Sequence, residues 1–563
     1  MKKIRILTKA GLMCLWVLLL VYETTQAQSP YTGMWEGDFM EQFKTVILLD
    51  QTDESAFVGK IIMYSGENRI QDDELSKITI ENRTLSFYIV SKESSFKGTF
   101  NESDTELSGN FIFPDDSRHP LTVRKYKKDS TAVESSKQPS LKESLKQSFP
   151  VEELKSDFRD LIDKLKKYHP RLYSYTSEDT FNLEVSQILG NLNKEMTLEE
   201  YYLEIAPLVA SVKCSHTGIR LPAAYKKHLE ESGQFFSMKV FVQDKKVYCL
   251  STPGNQDPGI KPGSEILAIN HQVVSDIIEK LLAVIPSEGN CMTTRYQELN
   301  HNFHTYFHMM DPAESFLVEF SSASSEGSIE LEACRYSTVK PNGASPLPLD
   351  SYSFNMNTNP QTGILKISTF GIRNMDEYFA FLDSTFRIMN DGKIHDLVLD
   401  LRDNQGGHPI FAAQLFSYLH SGEFIYFQQN PDVKEFEPLY HSMEANQLNY
   451  DGNIYVLVNG ACLSTTGHLI SLLKYYTGAI FIGEEPGSTF LCNDKSIQLK
   501  LPNTGMEVNI PQTTFVTAVD GFKEGEPFTL DYKVDITVQD ILNGTDSYLT
   551  FVIELLKEKQ TNP

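Results

Sequence analysis

The segment that decides the fold spans residues 454–476 and reads IYVLVNGACLSTTGHLISLLKYY. Its apolar beginning predicts a buried strand, and its amphipathic end predicts a helix. Ser464 stands between them, where a serine ordinarily caps the free amides of the first helical turn. The same place suits a nucleophile, because the helix dipole and the free N–H groups stabilise a developing oxyanion. Taken alone, the segment favours the cap, and the rest of the chain has to decide.

Strands and helices alternate around this segment from residue 362 onwards. The strands GILKISTF, DLVLDLR, IYVLV and AIFIGEE are largely apolar, and stretches of helical periodicity such as DEYFAFLDSTFRIMN separate them. Apolar strands that alternate with helices are typical of a mostly parallel sheet that is buried on both faces. The sequence therefore predicts an α/β core.

A loop with two adjacent glycines follows the strand DLVLDLR. It reads DNQGGHP and supplies Gly406 and Gly407. A glycine pair alone is typical of a tight turn, but glycines after a buried strand also let backbone amides point at a ligand. Together with Ser464 at the next strand end, the loop predicts an oxyanion hole. Its donors would be the amide of Thr465 and the amide of either Gly406 or Gly407.

A nucleophilic serine needs a base, and three histidines are candidates. They are His216 in KCSHTGIRL, His408 after the glycine loop, and His468 one helical turn after Ser464. The His468 side chain is expected to project along the helix wall, away from the exposed helix start, which disfavours it. A lone histidine is ordinarily a polar surface or core residue, so His216 gains weight only from the motifs around it.

These motifs together resemble a known family. A DLRxNxGG strand and loop, an NGxxxSxx turn, and an upstream helical region that ends in an HTG segment before a PDZ-like unit resemble the tail-specific (C-terminal processing) serine proteases and the tricorn protease core. The resemblance covers residues 150–555, in the family's domain order. It implies a multidomain chain with a ClpP/crotonase-like α/β core of ββα units. It also implies a serine endopeptidase that acts on unfolded or extended polypeptides.

The family has two catalytic variants that differ in the base. In the processing proteases, a lysine in a GExxxGKG-like loop takes the proton of the serine. The corresponding loop here reads IGEEPGSTF and has Thr489 at that place, which excludes a Ser–Lys dyad.

The tricorn-like variant implies a different set of residues. Ser464 is then the nucleophile, His216 the base, and a late glutamate orients the imidazole through Ser215. Glu524 in KEGEPFTLDYKVD matches that glutamate, with Glu526 as the competing register.

Three positions depart from the family pattern. Asp403 and Gln405 occupy the glycine loop where glycine is usual, and Gly467 stands where an acidic-type residue is common. A carboxylate that faced the oxyanion hole would oppose the negative charge there. These departures keep a second hypothesis open, a catalytically inactive relative that binds peptides. An esterase or lipase is disfavoured, because no G-x-S-x-G elbow surrounds the serine.

The upstream regions predict accessory domains. Residues 31–126 contain roughly seven short strands, which indicates a small barrel or sandwich, and the opening GMWEGDF resembles lipocalin-like barrels attached to exported bacterial hydrolases. The phrase IKPGSEILAINHQVV resembles a PDZ domain, a fold that captures extended peptides and often C-terminal tails. The predicted domains are a signal peptide (1–27), an all-β domain (28–127), a linker (128–150), a helical subdomain (151–230), a PDZ-like domain (231–300) and the α/β peptidase core (301–563).

The N-terminus predicts export. Basic residues, the apolar run AGLMCLWVLLLVY and the small residues Thr25 and Ala27 are typical of a signal peptide cleaved near Ala27, which predicts a bacterial periplasmic or extracellular protein without a membrane span after cleavage. The net charge of -24 argues against nucleic acid and anionic membranes as partners. The scattered cysteines show no metal-binding spacing, so no metal or cofactor is predicted. Polypeptides, including C-terminal tails, are the expected partners.

Overall fold

The computed structural model describes residues 29–39, 43–51, 57–65, 68–89, 94–113, 117–125, 148–252, 259–322, 326–339, 351–358, 361–430, 433 and 436–561. The predicted signal peptide and residues 128–147 of the predicted linker lie outside these ranges. The chain divides into two compact units, residues 1–135 and 136–563. Within the described ranges, no helix is both long enough and apolar enough to cross a membrane.

The N-terminal unit is a sheet of nine antiparallel strands. The strands are β1 (Gly33–Phe39), β2 (Phe43–Gln51), β3 (Phe57–Ser65), β4 (Asn68–Glu74), β5 (Ser76–Glu81), β6 (Thr84–Ile89), β7 (Ser94–Phe100), β8 (Glu106–Ile112) and β9 (Arg118–Lys125). Their order is β4-β3-β2-β1-β9-β8-β7-β6-β5. The amide of Leu75, between the two end strands, binds the carbonyl of Gly59 (2.8 Å), so the sheet nearly closes into a barrel. The predicted β-rich domain is confirmed.

The strands that the sequence analysis missed are β4 and β5. Strand β4 reads NRIQDDE, and this polar segment hides the alternation that marks a half-buried strand. Strand β5 reads SKITIE and alternates between half-buried and exposed side chains, without a fully buried residue. Both strands lie at the ends of the sheet, where one strand edge has no neighbour to cover it.

The second unit begins with helices, as predicted. These elements are α1 (Val151–Tyr168), α2 (Glu178–Asn191), α3 (Leu198–Ser211), the short strand β10 (Gly218–Arg220) and α4 (Ala223–Ser232). Helix α1 ends two residues before Pro170, which cannot continue it. Ser177 caps α2, and Thr197 forms a capping box with Glu200 at the start of α3.

A second antiparallel sheet follows. Its elements are β11 (Lys239–Gln243), β12 (Lys246–Ser251), β13 (Glu265–Ile269), β14 (Gln272–Val273), α5 (Val274–Ala283), α6 (Thr293–Met310), β15 (Ser315–Ser321), β16 (Glu326–Glu332) and α7 (Tyr336–Val339). The strand order is β11-β12-β13-β15-β16, with β14 paired to β13. The end predicted for the PDZ-like domain, residue 300, falls inside α6. The sheet continues beyond that residue, because β15 and β16 belong to it.

The rest of the chain forms the α/β core. Its elements are β17 (Tyr352–Thr358), β18 (Gln361–Ile367), α8 (Met375–Asp391), β19 (Asp396–Asp400), α9 (Pro409–Leu419), β20 (Phe424–Ile425), β21 (Ser442–Met443), β22 (Asn453–Val458), α10 (Thr465–Tyr476), β23 (Ile480–Gly483), β24 (Leu491–Asp494), β25 (Ile497–Lys500), β26 (Glu507–Ile510), β27 (Thr513–Val516), β28 (Tyr532–Lys533), α11 (Val538–Asn543) and α12 (Ser547–Thr561).

The central sheet of this core has the order β17-β18-β19-β22-β23-β28. Strand β17 is antiparallel to β18, and the other neighbours are parallel. Side chains of α8, α9 and α10 cover one face, where Leu399 and Val456 lie, whereas α12 covers the other face at Val398 and Leu457. The predicted α/β architecture with a mostly parallel buried sheet is confirmed.

A small sheet in the order β10-β26-β25 connects the helical region to the core. Strand β10 pairs with β26 over Gly218, Ile219 and Arg220. His216 lies two residues before β10, so this pairing fixes where the histidine enters the core. Strands β24 and β27 form a separate antiparallel pair.

We predict that Asp157 stabilises the second unit by joining α1 to the turn before β26. Its fully buried carboxylate accepts hydrogen bonds from the amides of Asn503 (3.0 Å) and Thr504 (2.7 Å) and from both side chains (2.7 Å each). Asp157→Ala leaves these donors without an acceptor and should lower the free energy of unfolding by about 3 kcal/mol. Thermal unfolding monitored by circular dichroism measures the change.

Asp160→Ala is the matched control, since Asp160 lies on the same helix and pairs with Lys164 at the surface. Its loss should cost less than about 0.5 kcal/mol. Equal effects of the two substitutions would contradict the role given to Asp157.

Candidate active site

Ser464 occupies the turn between β22 and α10 in a backbone conformation that L-residues rarely adopt. Its φ is 54° and its ψ is -123°, and its side chain makes no hydrogen bond to the helix amides. Ser464 therefore stands at the N-cap position without acting as a side-chain cap, contrary to that part of the sequence interpretation. Such a conformation costs about 1–3 kcal/mol and occurs preferentially at functional sites.

Asn404 organises the glycine loop beside this serine. Its fully buried side chain donates to the carbonyl of Ile367 (3.0 Å) and accepts from the amide of Gly406 (2.9 Å). Its backbone carbonyl accepts from the amide of Leu463 (3.1 Å) and from the hydroxyl of Thr466 (2.9 Å). The loop after β19 and the turn that carries Ser464 are thereby joined directly.

The two glycines of the loop differ in the availability of their amides. The Gly406 amide is already bonded to Asn404. Among the residues that the structure describes, the amides of Gly407 and Thr465 have no hydrogen-bond acceptor, and the Thr465 hydroxyl donates to the Gly407 carbonyl. Of the two predicted alternatives, Gly407 therefore has the free amide that can join Thr465 as an oxyanion donor.

His216 approaches the serine from the turn before β10. Its Nδ1 lies 3.2 Å from the Ser215 hydroxyl, and the Asn509 side chain of β26 donates to its backbone carbonyl. Burial lowers the pKa of His216, and the charge of Asp494 opposes this shift. An imidazole that is neutral at neutral pH can accept a proton, as a general base must.

The thiol of Cys492 lies between Ser464 and His216. Its Sγ is 3.6 Å from Ser464 Oγ and 3.6 Å from His216 Nδ1. Burial raises the pKa of Cys492 well above its usual range, so this thiol is neutral. Ser464 and His216 share this neighbour and make no direct hydrogen bond in the described part of the chain. No sequence motif points to Cys492, because only the fold brings β24 next to Ser464.

The carboxylate that contacts Ser215 belongs to Glu288. Glu288 Oε2 accepts hydrogen bonds from the hydroxyl (2.7 Å) and the amide (3.2 Å) of Ser215. Only 2% of Glu288 is exposed, and burial raises its pKa to about 7. Sequence analysis missed Glu288, which lies in the connection between α5 and α6, within the predicted PDZ-like domain but outside the motifs quoted for the family resemblance.

Glu524 and Glu526, the two predicted candidates, lie elsewhere. The Glu524 side chain, 38% exposed, forms an ion pair with Arg171. Glu526 accepts a long hydrogen bond from Asn290 (3.4 Å). The physical reason is the turn at residues 288–290, which packs between the segment of Ser215 and the loop of residues 524–526.

The other two histidines have different surroundings. His408 is the N-cap of α9, and its Nδ1 accepts from the amide of Ile410 (3.2 Å). His468 is buried against the ring of Phe427, with ring centroids 5.0 Å apart. Burial lowers the pKa of His468 to about 3, and within the described ranges neither of its ring nitrogens has a hydrogen-bond partner.

The departures from the family pattern have structural explanations. The Asp403 carboxylate accepts a hydrogen bond from the side chain of Asn459 (2.8 Å) and lines a different cavity from the one beside His216.

Gly467 is required by the packing around it. A Cβ on Gly467 would lie 2.5 Å from Ser488 Oγ and 2.6 Å from the carbonyl of Thr489, so a larger residue is excluded. The Thr489 hydroxyl donates to the Leu491 carbonyl (3.0 Å) and so stabilises its own loop. Gln405 lines the cavity of His216.

A cavity of about 560 Å³ opens beside His216. Polar and apolar side chains both line it, and Ser215, His216, Gln405 and Leu463 are among them. Strand β10 lines it as well and is the end strand of its sheet. All six described cysteines are free, and no group of described side chains could hold a metal ion.

Comparisons with known proteins identify a family model and structures of similar fold. Residues 361–534 match peptidase family S41. The crystal structure of mature CPAF superimposes with a TM-score of 0.54 at 11% identity, covering 72% of this chain and 97% of CPAF. The structure of mature CPAF complexed with lactacystin gives a TM-score of 0.55 at 12% identity, covering 73% and 100% of the two chains. No curated protein sequence matches.

The α/β core with a strained serine beside a glycine loop and a buried histidine is the framework of a serine-type peptidase. The family match is specific to the segment that carries the glycine loop and Ser464: residues 361–534 match peptidase family S41. The similarity to CPAF, at this low identity, is a similarity of fold.

We predict that Gly406 is required because the nucleophile turn packs directly against it. Its φ is 96°, and a Cβ there would lie 2.9 Å from both the Ser464 Cβ and the Thr465 amide nitrogen. Gly406→Ala should displace Ser464 and lower kcat by about 10²-fold. Steady-state kinetics on an unfolded protein substrate measures the effect.

Gly478→Ala is the control, because a Cβ at Gly478 meets no atom within 4 Å. It should leave kcat within about twofold of the parent, since surface substitutions are usually neutral. Full activity of Gly406→Ala would contradict the prediction, because it would show that the turn of Ser464 can shift without a loss of kcat.

Proposed function

We propose that the chain is an exported serine endopeptidase that hydrolyses peptide bonds in unfolded or extended polypeptides. Ser464 is the nucleophile and His216 the general base. The observation that carries the proposal is the convergence of a strained serine, a neutral buried histidine and the two free amides of Gly407 and Thr465. Segments distant in sequence supply these groups, and a purely structural role explains neither the strain nor the free amides.

The reaction then follows the usual course of acyl transfer. Ser464 Oγ forms a bond to the substrate carbonyl carbon while its proton passes to His216, which delivers it to the leaving amine. Water next attacks the acyl-enzyme while His216 takes one of its protons. The bond between the acyl carbon and Ser464 Oγ then breaks, His216 returns the proton to Oγ, and the product leaves as a carboxylic acid. General-base assistance contributes about 10²–10⁴-fold, and one oxyanion donor contributes about 10²–10³-fold.

Direct proton transfer requires a small movement in the site. The Cys492 thiol lies 3.6 Å from both Ser464 Oγ and His216 Nδ1. Catalytic hydrogen bonds often form fully only when the substrate binds. A rotation of the Cys492 and His216 side chains allows the imidazole to reach the serine.

An extended polypeptide suits the cavity beside His216. Strand β10 pairs with β26 on one side and is the end strand of its sheet, so its other edge can accept a further strand. A peptide added there makes backbone hydrogen bonds that do not depend on its sequence. The middle sheet, proposed to be PDZ-like, would hold a C-terminal tail by the same kind of addition. The N-terminal barrel is proposed as an accessory module without a catalytic role.

A second candidate function is a catalytically inactive peptide-binding protein. The position of the Cys492 thiol between Ser464 and His216 favours it, because the two groups are separated in this state. The two hypotheses differ in one measurable property, the cleavage of a substrate by the mature chain.

We predict that the mature chain, residues 28–563, cleaves an unfolded model protein and that Ser464→Ala removes the activity. The loss in kcat should reach about 10⁴-fold or more, since the nucleophile is gone. His216→Ala should cause a loss of similar size, because without a base the hydroxyl remains protonated. Gel analysis followed by kinetics with a quenched fluorescent peptide measures both effects.

Ser442→Ala is the matched control, because Ser442 is exposed on β21 and its hydroxyl donates to the Glu423 carboxylate (2.8 Å). If the parent fails to cleave, and a labelled C-terminal peptide binds the parent and Ser464→Ala equally well, the binding-protein hypothesis replaces the peptidase.

A further inference from the structure

We infer that Glu288, and not Glu524, is the positioning residue that orients His216 through the hydroxyl of Ser215. The inference rests on the proposed function, because it concerns the base of that same site. It places the residue that orients the proposed base in the connection between α5 and α6, after strand β14 of the second antiparallel sheet.

The first step is the direction of the hydrogen bonds. A serine hydroxyl has one proton and two lone pairs, whereas an ionised carboxylate can only accept. Ser215 Oγ therefore donates its proton to Glu288, at 2.7 Å. The remaining contact of this oxygen, 3.2 Å from His216 Nδ1, can then only be accepted from an Nδ1–H group.

The second step is the consequence for the imidazole. A neutral histidine with its proton on Nδ1 has an unprotonated Nε2, and Nε2 is then the atom that can take a proton. The ionised Glu288 also stabilises the imidazolium that forms during the reaction. A neutral group at this position would free the Ser215 hydroxyl to donate to Nδ1, which would favour the tautomer that cannot act as a base through Nε2.

The third step is the rigidity of the turn that carries Glu288. The amide of Gly289 donates to the carbonyl of Lys213 (2.9 Å), and the amide of Asn290 donates to the carbonyl of Gly525 (2.8 Å). A Cβ at Gly289 would lie 2.5 Å from the Cα of Gly525, so the two loops pack backbone against backbone. This packing holds Glu288 on Ser215.

Glu524 is held away from this position by its ion pair with Arg171. Its side chain is partly exposed, and an exposed carboxylate would orient a buried imidazole only weakly, since water screens its charge. Glu288, by contrast, is buried, and a charge there acts in a medium of low polarity.

Within the part of the chain that the structure describes, no cationic side chain forms an ion pair with Glu288. The groups that interact with it electrostatically are Tyr175, Cys214, Cys291 and Cys492, which are all neutral at neutral pH. Its Oε1 and the Tyr175 hydroxyl have no hydrogen-bond partner within the described ranges. Burial raises the pKa of Glu288 to about 7. The carboxyl therefore gains a proton as the pH falls through neutrality, and kcat should fall with it.

We predict three effects of Glu288→Gln, which keeps the shape of the side chain and removes its charge. The value of kcat should fall by about 10²-fold, and KM should stay within about twofold of the parent. The decline of kcat near pH 7 should disappear, leaving only the decline at lower pH that comes from protonation of His216, whose pKa burial lowers. Kinetics as a function of pH measures all three.

Two further variants test whether Glu288 acts through Ser215. Ser215→Ala should lower kcat, and the double variant Ser215→Ala with Glu288→Gln should be no slower than Ser215→Ala alone, because the contact is already broken. Glu279→Gln is the matched control, since Glu279 is an exposed carboxylate of α5 that pairs with Lys245. It should keep the parental pH profile.

A measurement that does not need turnover separates this inference from the proposed function. Nitrogen-15 NMR of the imidazoles, with the His216 signals assigned from His216→Gln, reports which ring nitrogen carries the proton. At a pH above the pKa of Glu288, the parent should show the His216 tautomer with its proton on Nδ1. Glu288→Gln should shift the population towards the tautomer with its proton on Nε2. This result is expected even if the parent cleaves no substrate.

Two outcomes would overturn the assignment. One is that Glu288→Gln, with a thermal midpoint equal to that of the parent, keeps both the tautomer and the pH profile. The other is that Glu524→Gln causes the larger loss in kcat together with the change in tautomer, which would restore the assignment made from the sequence. If Glu288→Gln does not fold, the tautomer and pH profile of Ser215→Ala decide, since that change removes the same contact.

Discussion

The buried carboxamide of Asn404 holds three segments of the α/β core together at the edge of the sheet. Its nitrogen donates to the end of β18, its oxygen accepts from the glycine loop, and its backbone carbonyl binds the turn that carries Ser464. A carboxamide is needed because one side chain must donate and accept at once in a place without water. A carboxylate would leave the Ile367 carbonyl unpaired, and an apolar side chain would leave the Gly406 amide unpaired as well. The strained turn of Ser464 persists because these bonds over-determine it.

The candidate site is assembled from three parts of the second unit. The α/β core holds Ser464 and the free amides of Gly407 and Thr465 through contacts within its own loops. The histidine comes from the helical region and is positioned by the short sheet of β10, β26 and β25. The carboxylate on Ser215 comes from a third place, the turn between α5 and α6. The packing of these parts against one another brings the groups within reach.

The sequence predicted those features that local patterns encode. Apolar strands alternating with helices predicted the core, and the glycine loop and the serine turn predicted where its loops would meet. Two parts of the site have no local pattern. Glu288 lies in a polar turn like many others, and Cys492 resembles any buried cysteine, because their roles depend on packing between distant segments. The Glu524 assignment came from matching a divergent segment to a family motif, which cannot detect that the turn at Gly289 fills the intervening space. Strands β4 and β5 were missed for the same reason. The polar sequence of β4 hides the alternation of a half-buried strand, β5 has no fully buried residue, and both become strands through pairing with their neighbours in the sheet.

The pairing of β10 with β26 has a consequence for synthesis of the chain. Ribosomes make proteins from the N-terminus, so the segment of His216 emerges long before β26 and its Asn509, which hold the histidine in place. A growing or truncated chain that ends before β26 carries both the serine and the histidine but lacks the strand that anchors the histidine. Contacts between such distant residues also form late in folding, because closing a long loop costs entropy. In such an incomplete chain, Ser464 and the histidine proposed as its base are not yet held together.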